Sequence, residues 1–171
     1  MLFEIDHEIE APLESFEAAL LWPDLAQQLG RSFAAMASLE PLVHDLDDRR
    51  LVRVWRFQAH APLGVLQRFE AASEWLGWEE RVEYDRAAHR AHWQIVPRGE
   101  DEPDAPWRRY FSATGSYELI PLGEGRTRRR VSGELSVRIP VLGRLVERAA
   151  MGKLRRAYAS EADIVLACCA V

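Results

Sequence analysis

The sequence predicts an α+β fold in which a curved antiparallel sheet of about seven strands wraps around one long C-terminal helix, with two short helices after the first strand. Three observations predict it. From Arg126 onward Val131, Gly133, Leu135, Val137 and Ile139 alternate with Arg128, Arg130, Ser132, Glu134, Ser136 and Arg138, the period-two signature of a strand with one wet face. After Pro140 the period changes to that of a helix, with Leu142, Leu145, Val146, Ala149, Ala150, Leu154, Ala157, Tyr158, Ile164, Val165 and Cys168 along one drifting stripe. The chain between the first thirty residues and this helix reads as strand after strand, so the helix has a wide sheet to cover.

The elements follow in order. Phe3, Ile5, His7 and Ile9 alternate with Glu4, Asp6, Glu8 and Glu10, a first strand with an acidic outer face. Ala11-Pro12 breaks it, and proline suits the first turn of a helix whose buried side is Leu13, Phe16, Ala19 and Leu20. A second short helix follows Trp22-Pro23-Asp24 and ends at Gly30. Pro41 to Leu46 and Leu51 to Ala59 flank the turn Asp47-Asp48-Arg49-Arg50. Ala61-Pro62-Leu63-Gly64 interrupts the series, and Phe69 to Tyr84 forms a long strand for which Gly77 predicts a bulge. His89 to Val96 is the next strand, and the proline- and acid-rich stretch from Pro97 to Pro106 is a loop. Tyr110 to Ile120 places Phe111, Ala113, Gly115, Tyr117 and Leu119 on one face, and Gly123-Glu124-Gly125 turns the chain into the last strand. No repeat or linker marks a boundary, which predicts one domain over 1–171.

Composition narrows the function classes. A chain of 171 residues can bury a sizeable core without staples. Cys168 and Cys169 are adjacent and poorly placed to bridge distant parts of a fold, which predicts a reduced, cytoplasmic setting. The N-terminus has no basic region ahead of an apolar run, so no signal peptide is expected, and no run of about 18 apolar residues predicts stable membrane insertion. The net charge of −5 argues against nucleic acid as a partner.

At this point the chain resembles a family. The order strand, two short helices, about six antiparallel strands and a long C-terminal helix is similar to that of the START-like, helix-grip (SRPBCC) superfamily, which includes the birch-pollen-allergen proteins. Local phrases carry the likeness: Ile9-Glu10-Ala11-Pro12-Leu13-Glu14 at the first junction, Trp78-Glu79-Glu80-Arg81-Val82 with Trp93-Gln94-Ile95-Val96-Pro97, and Ile139-Pro140-Val141-Leu142-Gly143 entering the last helix. The nearest likeness is to uncharacterised bacterial START-like proteins. The resemblance implies a hydrophobic cavity between sheet and helix, used across the superfamily for lipids, sterols, polyketides and other apolar ligands, but fold alone does not fix activity.

Motifs for chemistry are few. Gly123-Glu124-Gly125 lies in a hairpin and is no phosphate loop, no serine sits in a nucleophile elbow, and Lys153 is the only candidate for Schiff-base chemistry. His89 and His92, three apart on a strand, would point to opposite faces and share no metal, so no metal or cofactor is expected. Arg126, Arg128, Arg129 and Arg130 are read as a solvated outer face balanced by Glu118 and Glu134, with capture of a phosphate or head group as the alternative. Glu100, Asp101, Glu102 and Asp104 match no calcium loop. Trp55 and Trp93 are read as core, and Trp22 and Trp107, beside prolines, as rings able to border a cavity mouth.

The reading is non-covalent binding of a small apolar molecule or lipid. Trp93, Phe111, Ala113, Tyr117, Val131, Gly133 and Leu135 of the sheet face Ala150, Leu154, Ala157 and Tyr158 of the helix as ligand-binding residues. Ala113, Gly115, Gly133 and Ala157 are expected to leave inward space. His7 and Glu161 interrupt apolar stripes and join the site, because a buried ionisable group requires a partner, a water or a ligand. A cyclase or hydrolase-type enzyme using His7 or Glu161 as acid or base, and a filled-core domain acting through protein contacts, are the alternatives.

Overall fold

Every strand pairs antiparallel with its neighbours in one seven-stranded sheet. The computed structural model describes residues 1–32, 36–59, 77–97, 111–137 and 143–169. In chain order the elements are β1 (Leu2–Ile9), α1 (Leu13–Leu20), α2 (Leu25–Ser32), β2 (Met36–Leu46), β3 (Arg50–Ala59), β4 (Gly77–Asp85), β5 (Arg90–Pro97), β6 (Phe111–Gly123), β7 (Arg126–Val137) and α3 (Gly143–Cys169). The sheet order is β1-β7-β6-β5-β4-β3-β2, so the first and second strands form its two edges and α1 and α2 span between them.

The alternation of side chains decides which face is the core. Phe3 and Ile9 of β1, Leu51 and Trp55 of β3, Val82 and Tyr84 of β4, Ala91 and Trp93 of β5, Ala113, Tyr117 and Leu119 of β6, and Val131, Leu135 and Val137 of β7 are all buried. The register sets these residues side by side across the sheet, for example Leu51, Tyr84, Ala91, Tyr117, Val131 and Ile5 in one row. On α1 the buried set is Leu13, Phe16, Ala19 and Leu20, as the spacing predicts. α3 packs on α1, α2, β1 and β7 through fully buried Ala162 and Val165.

Several boundaries move. The strand expected from Phe69 is described from Gly77 onward, and the ladder from Arg50–Asp85 to Gln58–Gly77 runs without interruption over those residues. The residues ahead of it, 60–76, lie outside the described residues, as do 98–110 with the acidic loop and Trp107. β2 begins five positions earlier than Pro41 (at Met36), and its register shifts between Pro41 and Val43. That is where an edge strand tolerates a residue with no N–H to donate. α2 continues past Gly30 to Ser32. The hairpin between β6 and β7 holds Gly123, Glu124 and Gly125 at φ of 78°, 54° and 74°, the left-handed backbone that glycine adopts without strain.

The arginine run divides between the two faces. Arg128 meets Glu8 at 2.8 Å and Arg130 meets Asp6 at 3.3 Å, while Arg126 lies 3.8 Å from Glu8 and 3.7 Å from Glu124. The partners are therefore chiefly the acidic outer face of β1, and neither Glu118 nor Glu134 as the sequence suggested. Arg129 does not belong to that face. It is in phase with Val131 and points inward.

Candidate functional site

Two arginines sit on the apolar face of the sheet, where unpaired charge is costly. Arg53 of β3 is 4% exposed and Arg129 of β7 is 1% exposed. The Arg129 guanidinium donates to Glu161 Oε2 at 2.6 Å and to the Tyr158 carbonyl at 2.8 Å, both on α3. Its charge also lies 4.8 Å above the Tyr158 ring. Arg53 lies 3.8 Å above the Trp55 ring and 3.7 Å from Glu80 Oε2. One ion pair thus locks α3 to the sheet and the other stays within the sheet.

Glu80, Tyr117, Tyr158 and Glu161 complete this interior cluster. The Glu80 side chain keeps 22% of its surface and Glu161 keeps 15%. Burial pushes the Glu80 carboxyl above the usual carboxylate range, against the pull of Arg53. Burial also raises the Tyr117 phenol to about 12, and Tyr158 is raised by burial and by the nearby Glu80 and Glu161, so both stay protonated at neutral pH. No hydrogen bond of either hydroxyl is found among the described residues, and the cluster's buried atoms without a partner there are Arg53 Nε, Arg129 Nε, Trp55 Nε1 and Trp93 Nε1. Beside the cluster lie half-buried apolar side chains: Phe57 and Trp78, stacked at 5.3 Å and 7°, then Ile95, Met151 and Leu154.

Of the residues proposed from sequence, Trp93, Ala113, Tyr117, Val131 and Leu135 are buried on the inner face, and Leu154, Tyr158 and Glu161 lie on the half-buried stripe of α3. The side chains of Phe111 and Ala150 lie outside the described residues. Ala157 is a correction. It is exposed, about a quarter turn from the stripe that Leu154, Tyr158 and Val165 define. Gly115 and Gly133 are a second correction, because they face one another across β6 and β7 and leave no open space. A Cβ at Gly115 would stand 2.4 Å from Trp93 Cζ2, and one at Gly133 would stand 2.8 Å from Phe3 Cζ. The glycines are the seat of the Trp93 indole. On the opposite face the same pair floors only a shallow depression edged by Leu2, Glu4, Thr114 and Glu134.

The sequence reading missed Arg53, Glu80 and Arg129. Each is two residues from an apolar core position on its own strand, and that parity was the available signal. A second polar link lies outside the cluster: Tyr84 donates to Glu17 Oε1 at 2.5 Å and His89 Nδ1 lies 2.8 Å from the same oxygen. It ties α1 to the β4–β5 turn, where His89 sits, and not on a strand as the sequence suggested.

His7 pairs in register with Arg129, and its Nδ1 is buried without a partner among the described residues. Burial first, and then the Arg129 charge, lower its pKa below the usual 6.5, although Asp163 and Glu161 oppose the shift. His44 is lowered likewise by burial and by Arg53. Both imidazoles take up a proton less readily in the fold than in the unfolded chain, where the ordinary value is 6.5. Stability is therefore complete above that pH and declines as pH falls through it. The melting temperature should drop between about pH 7.5 and 5.5, and His7→Phe should make the drop shallower. An equally steep drop in the variant would remove His7 from the account.

A family described as a protein of unknown function (DUF2505) matches residues 104–167. No curated protein matches the chain. Among solved structures, the protein TTHA0849 from Thermus thermophilus is similar with a TM-score of 0.63 and 21% identity, over 98% of this chain and 99% of that one. The Zhui aromatase/cyclase from Streptomyces sp. R1128 is similar with a TM-score of 0.61 and 14% identity, over 99% and 94%. A START superfamily protein from Mycobacterium smegmatis is similar with a TM-score of 0.58 and 15% identity, over 96% of each chain. Among the described residues no helix is long and apolar enough to cross a membrane. Sheet order, paired short helices, C-terminal helix and these likenesses agree that the chain has the START-like, helix-grip fold.

Proposed function

We propose that the space between the inner face of the sheet and α3 binds a small apolar molecule or lipid non-covalently. One observation carries the reading: half-buried Phe57, Trp78 and Ile95 on the inner face of the sheet and Met151 and Leu154 on α3 accompany a small set of interior polar groups, Arg53, Glu80, Arg129 and Glu161. An apolar wall with a few convergent polar groups is the usual make-up of a small-molecule site. Trp93, Ala113, Val131 and Leu135 are the supporting floor in this reading, with Gly133 seating Trp93, and His7 acts behind Arg129. Native mass spectrometry of the purified protein, followed by organic extraction, should show a bound apolar compound, and an apolar fluorescent probe should compete with it. Trp78→Ala should weaken probe uptake severalfold with little change in melting temperature. A wild type that carries nothing and binds no probe would remove the reading.

A second reading, an enzyme of cyclase type, is favoured by Glu80. A carboxyl held above its ordinary pKa beside a guanidinium is suited to proton transfer. A similar fold is described as an aromatase/cyclase. Under this reading the protein should speed deuterium exchange at the carbon next to the carbonyl of an aromatic ketone, and Glu80→Gln should abolish the effect. Exchange at the buffer rate would leave binding alone.

A further inference from the structure

α3 is fastened unevenly along its length. Arg129 donates to Glu161 Oε2 at 2.6 Å and to the Tyr158 carbonyl at 2.8 Å, and Ala162 and Val165 are fully buried, all in the C-terminal part of the helix. The part from Gly143 to Met151 has no such anchor among its described residues. There Arg148 is exposed, and Glu147 and Met151 are half-buried. Glu147 ties this part to the end of β7, its Oε1 accepting from the Val137 amide at 3.0 Å and lying 4.0 Å from the Met1 amine. Lifting the whole helix would strand the Arg129 charge and expose fully buried side chains, whereas lifting this part alone gives up one catch and the half-buried Met151.

The sequence weakens the helix at both ends of that part. Its first turn holds Arg144 and no acid, although the helix dipole favours negative charge there. At the other end Gly152 stands inside the helix, where glycine is less favourable than alanine because it gives up more backbone freedom. Packing does not demand a glycine. Its φ is not in the left-handed region, and among the described residues an added Cβ would find its nearest neighbour, Arg156 Nη1, at 4.0 Å. Gly115 and Gly133 are the contrast, each with ring and backbone atoms within 2.9 Å of such a Cβ. A helical piece shorter than about 12–15 residues is marginal in water without packing. A joint at Gly152 therefore leaves the preceding part dependent on Glu147 and Met151.

We propose that Gly152 is a hinge, at which residues 143–151 open away from the sheet while the rest of α3 stays fastened through Arg129. The purpose of the opening, entry of an apolar molecule beneath α3, rests on the binding reading above; the opening itself does not. Hydrogen exchange of the whole chain, resolved along α3 by mass spectrometry, tests the motion. Amides 147–151 should exchange at least roughly tenfold faster than amides 158–165, as a local opening below the global unfolding energy requires. Gly152→Ala should slow the first group about fourfold, the helix preference of alanine over glycine, and Glu147→Ala should speed it severalfold. Equal exchange of the two groups in the wild type overturns the hinge. A Gly152→Ala variant that melts below the wild type assigns the glycine to packing and overturns it too. Stopped-flow fluorescence with the neutral probe N-phenylnaphthylamine tests the purpose. Entry through the open form makes association and dissociation scale together with its population. Gly152→Ala should therefore slow both rates about fourfold and Glu147→Ala should speed both, with Kd nearly unchanged. Probe rates that ignore both variants while exchange responds overturn the entry role. If the probe does not bind at all, the binding reading fails, and the exchange pattern alone decides the hinge.

Discussion

Glu161→Leu should lower stability by about 3–5 kcal/mol, the range for removing one partner of a buried ion pair, and the melting temperature by roughly 10 °C or more. The reason lies with the partner that stays. Arg129 is 1% exposed and its guanidinium cannot shed its proton, so without Glu161 a full charge is left inside with the Tyr158 carbonyl as its remaining acceptor. Arg129→Leu should cost less. The stranded Glu161 keeps 15% exposure, so water still reaches it. The double variant should recover most of the loss, since an apolar pair of similar volume often replaces a buried salt bridge without penalty. Thermal and chemical unfolding of the three variants measures the cycle. Equal, small losses in both single variants would mean that the pair is wet and carries little of the junction between α3 and the sheet.

The same residues show how far the sequence could be read. Period-two alternation located the strands and the inner face of nearly all of them, because a half-buried sheet forces apolar residues onto one parity. The four buried positions of α1 followed from helical spacing and the leading proline in the same way. Arg129 was visible by parity, since it shares the phase of Val131, but its three arginine neighbours invited a single solvated patch. Glu80 shares the phase of Val82, and Arg53 that of Leu51 and Trp55. What parity cannot give is the partner across space. That Arg129 meets Glu161 depends on how α3 lies over β7, and no local pattern encodes that placement. His7 and Glu161 were singled out as polar interruptions needing company, and Arg129 is the company of Glu161.

Gly115→Ala should be the more damaging of two single-methyl insertions, costing in the region of about 1–3 kcal/mol or more by overpacking, and the expected pattern separates packing from ligand space. At Gly115 the new Cβ would stand 2.3 Å from the Ser132 carbonyl oxygen and 2.4 Å from Trp93 Cζ2. The first is backbone locked in the β6–β7 ladder and cannot retreat without breaking the pairing. At Gly133 the neighbours are the Thr114 carbonyl oxygen at 2.7 Å, Phe3 Cζ at 2.8 Å and Trp93 Cζ2 at 2.9 Å. Two of those three are rings, themselves packed at a centroid distance of 6.2 Å. Trimming the indole with Trp93→Leu should therefore offset more of the Gly133→Ala cost than of the Gly115→Ala cost, and the coupling energies of the two cycles should differ in that direction. The glycines owe their place to the indole above them. Adding Gly133→Leu to the wild type should accordingly unfold or strongly destabilise the protein. If instead that variant melts like the wild type and only loses affinity for an apolar probe, the space above Gly133 belongs to the ligand, as inward-facing small residues first suggested.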